Sequence, residues 1–285
     1  MSSAQVRAIS SANLATMEAE DIAALTTAAI AALTTAQMSN LTTNQLVSLS
    51  TKQVAALTSA QASAISSANL ATMETADIAA LSTAAMVALT TAQISNLTTD
   101  QLVSLSTKQV AALTSAQASA ISSANLATME TADIAVLTTA AIAALTTAQI
   151  SNLTTDQLVS LSTKQAAALT SAQASAITSA NLATMETADI AALSTAAMAA
   201  LTTAQLVSLS TKQVAALTSA QASAISSANI ATMETADIAA LSTAAVGALT
   251  TAQMSKLTTD QLKSFSSKQV AALTTAQLNA MFSSS

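Results

Sequence analysis

Apolar residues recur along this chain at alternating spacings of three and five, and the pattern holds without a slip from Ser2 to Met281. Each phrase is eight residues long, as in TTDQLVSL at 98–105, and thirty-five such octads leave a four-residue tail, 282–285. Positions 5 and 8 of the octad are apolar in every copy. Position 1 is Ser or Thr in thirty copies and Glu in five, and position 2 is Ser or Thr everywhere except Ala19. Position 4 is Gln, Asn or Asp in thirty copies and Ala in five: Ala29, Ala85, Ala141, Ala197 and Ala245.

Two helix-start signals overlap in this phrase. Ser/Thr-x-x-Gln is a capping box, in which a hydroxyl and an amide satisfy two orphan backbone N–H groups reciprocally. An apolar residue just before the cap and another four residues after it form a hydrophobic staple; Leu97 and Leu102 are so placed around Thr98. One continuous helix fits poorly, because eight residues advance it by roughly 800° and the apolar stripe would precess around the rod. The 3–5 spacing also misses the 3–4 alternation of a coiled coil. In a strand, positions 5 and 8 would point to opposite faces. The pattern therefore predicts an all-α solenoid of very short helices, one per octad, with Ser or Thr at each corner. Helices this short do not fold alone, so the octads must stack, and the alanines at positions 3, 6 and 7 are expected to be buried between them.

Above the octad lies a block of seven. The phrase beginning Ser/Thr-Ser-Ala-Asn starts at 10, 66, 122, 178 and 226, so the first three intervals are seven octads and the last is six. One octad is missing there, and the loss keeps the eight-residue phase while breaking the larger one. Gene duplication accounts for the block, ahead of a preferred superhelical register. No linker or composition shift divides the chain, which reads as one domain, 1–285.

Composition removes most chemistry. The chain has no Cys, His, Trp, Tyr or Pro, one Gly and two Phe; charged residues make up 8% and the net charge is -6. Its 52% hydrophobic content is at odds with disorder, which combines low hydrophobicity with high net charge. A membrane span needs about 18 apolar residues in a row, and Ser, Thr or Gln interrupts every candidate. The N-terminal residues show no cleavable signal peptide. Serine and threonine are plentiful, yet without His or Cys they lack the activating partner of nucleophilic catalysis, so no enzyme is expected. Carboxylates recur in pairs, Glu74 with Asp77, Glu130 with Asp133, Glu186 with Asp189 and Glu234 with Asp237. A calcium or acid/base role is weighed against first-turn acids offsetting the helix dipole, and the dipole reading is preferred. Lys108, Lys164 and Lys268 each follow an aspartate by one octad, which predicts surface ion pairs. So few cations make no basic stripe for nucleic acid. No cofactor, metal or small-molecule substrate is expected.

The two ends differ from the interior and from each other. Residues 1–51 set Arg7 against Glu18, Glu20 and Asp21. Residues 250–285 set Lys256, Lys263 and Lys268 against Asp260, with both phenylalanines, Phe265 and Phe282, at that end. Soluble repeat arrays normally carry polar capping repeats, and none is visible here. Contacts that join head to tail without closing give open filaments. All of these residues except Asp260 are the expected assembly contacts, and the expected partner is another copy of the chain. A monomeric solenoid serving as a spacer, a binding scaffold or an ice-binding array of hydroxyl rows is the alternative.

The strings ALTTAQ at 32–37, 144–149, 200–205 and 248–253 resemble the ALTTAQ-type low-complexity repeats of long bacterial proteins. That resemblance covers nearly the whole chain. It implies a bacterial origin and an extracellular or cell-surface setting, and it implies no activity.

Overall fold

The computed structural model describes residues 1–282. Among them, thirty-five short α-helices follow one another, from α1 (Ser3–Ala8) to α35 (Thr275–Phe282), one per octad and most of five or six residues. We number octads and helices together. In α13 (Thr99–Val103) the cap residue Thr98 is extended, at φ -69° and ψ 161°. Its hydroxyl accepts from the Gln101 N–H at 3.2 Å, and Gln101 Oε1 accepts from the Thr98 N–H at 2.9 Å. The preceding helix, α12 (Thr91–Asn96), stops at Leu97, already extended at φ -58° and ψ 136°. Two consecutive extended residues thus turn the corner. Among the described residues no φ is positive, which explains why the chain needs almost no glycine at its many corners. None of the described helices is long and apolar enough to cross a membrane.

Contacts divide the chain into two units, Met1–Ala144 and Leu145–Ser285. In the first, α1 packs on α4 (Thr27–Ala32), α2 (Ser11–Ala15) on α5 (Thr35–Ser39) and α7 (Thr51–Ala55) on α10 (Thr75–Ala80). In the second, α22 (Ser171–Ala176) packs on α25 (Thr195–Ala199), and α27 (Thr211–Ala215) on α30 (Thr235–Ala240). The packing partner in each case lies three octads on. Hydrogen bonds between turns span 25 to 31 residues, and many reach four octads back. Each unit therefore coils as a solenoid with between three and four octads per turn.

Position 5 is the most deeply buried place, with Val6, Leu14, Ile22, Ile30, Leu46, Ile134, Leu158 and Ile238 all 0% exposed. Position 8 is nearly as dry, from Leu25 to Leu257. The alanines expected in the interior at position 3, such as Ala36, Ala60 and Ala92, are exposed instead, and those at positions 6 and 7 are at most half-buried. Their place is taken by position 4, where Gln45, Gln101 and Gln157 are only 1% exposed. The inner wall of the coil is therefore built from a polar residue, and that residue must be satisfied there.

Candidate functional site

The buried amides account for the stacking. Gln109 Oε1 accepts from the Ser106 N–H at 2.9 Å, closing its own cap, while Nε2 donates to the carbonyls of Ile78 at 3.1 Å and Leu81 at 2.9 Å. Ile78 and Leu81 are positions 5 and 8 of the octad four places earlier. One side chain thus caps the N-terminus of its own helix and the C-terminal carbonyls of the helix one turn away. The arrangement recurs for Gln37, Gln45, Gln61, Gln93 and Gln101 in the first unit. In the second it recurs for Gln205, Gln213, Gln221 and Gln253. The capping half of this amide's work was legible in Ser/Thr-x-x-Gln; the clamping half lacked a sequence signal, because the number of octads per turn decides where Nε2 lands.

Asparagine at position 4 makes a variant of this clamp. Asn229 Oδ1 accepts from the Thr203 hydroxyl at 2.8 Å, and Nδ2 donates to the Leu201 carbonyl at 3.2 Å. Asn181 does the same with Thr155 at 2.8 Å and Leu153 at 3.4 Å. Aspartate follows asparagine by one octad in each block, and Asp77, Asp133, Asp189 and Asp237 are 2–3% exposed. Burial first, and the neighbouring Glu74 carboxylate second, push Asp77 up from 3.8 to about 6. Asp133 rises to about 6 by burial and by Glu130, against a lowering hydrogen bond from the Glu130 backbone. Burial also raises Asp189 and Asp237, opposed by hydrogen bonds from Thr163 and Thr211 and assisted by Glu186 and Glu234. Among the described residues no three acidic side chains gather as a metal site would require.

The expected pairs between aspartate and the lysine one octad later do not form. Among the described residues the one ion pair is Lys263 with Asp260 at 4.0 Å, three residues apart on α33 (Thr259–Lys263), and both side chains are largely in water, where such pairs contribute little. The reason is the coil. Successive octads stand on different sides of it, and true neighbours lie three and four octads away.

The proposed end residues are placed as follows. Arg7 is exposed in the last turn of α1, and Glu18, Glu20 and Asp21 are exposed around the start of α3 (Ala19–Ala23), in the first unit. Lys256, Lys263 and Lys268 are exposed in the second unit. Phe282 is 75% exposed at the end of α35. Phe265 corrects the expectation of a contact residue: at position 8 it is 8% exposed and fills the core.

The two faces of a turn differ. At the N-terminus, where no earlier turn covers them, Ile9 and Met17 at position 8 are half-buried and the position-4 side chains Gln5 and Asn13 are exposed. At the other end position 5 loses cover as well as position 8, where Leu273 and Met281 are half-buried. Leu262 and Leu278 are half-buried and Val270 is 41% exposed. Two clefts there share Thr259, Leu262 and Met281, one extending to Leu257 and the other to Lys263 and Phe282. One face of a turn thus offers amide donors, the opposite face carbonyl acceptors and position-5 side chains.

No curated protein matches the chain. The ALTTAQ repeat matches residues 14–51, 70–107, 126–163, 182–219, 230–266 and 256–283. The first five matches start seven octads apart, except that the step from 182 to 230 is six, which is the period of the blocks and the place of the missing octad. With most of its residues matched in this way, the chain belongs to the ALTTAQ repeat family.

Proposed function

We propose that the protein is a structural subunit that assembles head to tail into an extracellular or cell-surface filament. The observation that carries this reading is the asymmetry of the turn. Each turn presents amide donors on one face and carbonyls and apolar side chains on the other, so the contact is heterologous and repeats indefinitely. Any first turn complements any last turn. Gln5 of a second copy brings an exposed amide to the carbonyl face, and its half-buried Ile9 and Met17 meet the half-buried Leu262 and Leu278 and the exposed ring of Phe282. Charges of opposite excess at the two ends favour the same approach.

Negative-stain microscopy and sedimentation of the purified chain test the proposal. Filaments whose length grows with protein concentration are expected. Monodisperse particles of monomer mass at every concentration and ionic strength would overturn it. A second reading rests on the exposed Thr and Ser at positions 1 and 2, whose rows of hydroxyls suit a monomeric ice-binding array; thermal hysteresis from a monomeric sample would favour it.

A further inference from the structure

We propose that Asp77, Asp133, Asp189 and Asp237 are proton-operated locks between turns: when protonated, each donates to the backbone carbonyl three and a half octads earlier, at Leu49, Leu105, Leu161 or Leu209. The lock acts within one chain and does not rest on the filament reading.

The geometry comes from the asparagines. Asn181 and Asn229 each accept from a threonine hydroxyl 26 residues earlier and donate Nδ2 to a leucine carbonyl 28 residues earlier. Asp189 and Asp237 stand at position 4 as the asparagines do, 26 residues after Thr163 and Thr211, and are 3% exposed, so the acid occupies the place of the amide. Asp133 stands at the same position 4 and is 2% exposed. What differs is the atom that stands for Nδ2. In an ionised carboxyl it is a second acceptor, set in a wall where glutamines at the same position donate to carbonyls. A proton on that oxygen restores the donor. The upward shifts of all four aspartates agree with this.

Other charges around these groups do not supply a counterion. Asp77 has Glu74 on its own octad, Lys52 on α7, Asp100 on α13 and Lys108 on α14 (Thr107–Ala111). Asp133 has Glu130, Asp100 and Lys108 within its unit. Asp189 has Glu186, Asp156, Lys164 and Lys212, and Asp237 has Glu234, Lys212, Asp260, Lys263 and Lys268. Among the described residues, none of these lysines forms an ion pair with the four aspartates.

A group that binds its proton more tightly when folded stabilises the fold most at low pH, and that stability is lost as pH rises from 3.8 through about 6. Thermal melting of the whole chain between pH 4 and pH 7 reads this directly. The wild type is expected to melt at progressively lower temperature as pH rises, whereas the fourfold Asp→Asn variant is flat over that range and melts higher than wild type at pH 7. A fourfold Asp→Ala variant removes the charge without providing a donor, and it is expected to melt below the Asn variant. Retention of the wild-type pH slope in the Asn variant would overturn the lock, as would equal melting of the Asn and Ala variants.

Discussion

Replacing Gln109 by Leu removes both halves of one clamp while keeping an apolar side chain of similar size in place. Gln109 is 2% exposed and bonds to the Ser106 N–H at 2.9 Å, the Ser106 hydroxyl at 2.9 Å, and the Ile78 and Leu81 carbonyls at 3.1 and 2.9 Å. These are not equal losses. Ser106 is exposed, so water replaces the amide there. Ile78 keeps the Leu81 N–H at 3.2 Å. The Leu81 carbonyl is left without its donor beside a residue 3% exposed, and a buried unsatisfied group costs about 1–3 kcal/mol. With the lost cap added, the total is about 2–4 kcal/mol. In dilute, unassembled chain Gln5→Leu is the comparison, since Gln5 is exposed there and its Oε1 accepts from the Ser2 N–H at 2.7 Å as part of a cap. That loss is about 1 kcal/mol or less. Long repeat arrays depart from two-state unfolding, so the assay is native-state hydrogen exchange, comparing amides of α10 and α14 with those of distant helices. Protection should fall by about 30-fold or more around Gln109 and stay unchanged far from it. If Gln109→Leu perturbs its surroundings no more than Gln5→Leu does, the inter-turn clamp is not what holds the turns together.

Leu46→Ala empties a fully buried position 5 and should destabilise its turns by about 2–5 kcal/mol, measured by the same exchange method. Deleting residues 98–105, one whole octad, should leave far-UV helicity per residue intact, whereas deleting 98–101 alone should lower it by more than the shorter chain accounts for. Phe282→Ser should shorten filaments or raise the concentration at which they form, seen by light scattering, with no change in the melting of the subunit. Raising ionic strength from low to physiological salt should weaken association, because the charges concerned are exposed and screened within about 10 Å; association indifferent to salt would remove charge complementarity from the account.

The octad, the capping box and the all-helical solenoid can be read from Ser/Thr at position 1, Gln at position 4 and apolar residues at 5 and 8, because each is a local rule that acts within one octad. Whatever depends on the pitch of the coil is hidden from such rules. Pairing lysines with aspartates one octad away treats sequence neighbours as stacking neighbours, and the coil separates them. Placing the alanines inside follows their apolarity alone, whereas position 4 points inward and takes the most buried polar side chains, such as Gln101 and Gln157. Composition makes Phe265 an end contact, although its position 8 already marks it as a core residue.

The pitch also gives the seven-octad block a physical meaning. With neighbours at both three and four octads, no whole number of octads makes a turn, and seven octads, three plus four, bring the chain close to two turns on. Two octads seven apart then stand on the same side of the coil, two turns apart, and a substitution pattern with period seven paints a fixed face. The acids obey this in the first unit. The octads beginning at Glu18, Glu74 and Glu130 are seven apart, and the lysine octads of Lys52 and Lys108 fall between them. Each lysine octad contacts the acidic octads before and after it: Gln53 donates to the Leu25 carbonyl at 2.7 Å, α7 packs on α10, Gln109 donates to the Leu81 carbonyl, and α14 packs on α17 (Thr131–Val136). The missing octad in the second unit changes the step from the octad of Glu186 to that of Lys212 from four octads to three. An octad touches neighbours at both distances, so acid and lysine octads remain adjacent: α24 (Thr187–Ala192) packs on α27. A loss of part of an octad would have broken the cap of that octad and the clamps that cross it, and the loss of a whole one breaks no cap. Selection on the coil therefore holds the octad strictly and the block loosely, which is the order in which the two periods are kept along this chain.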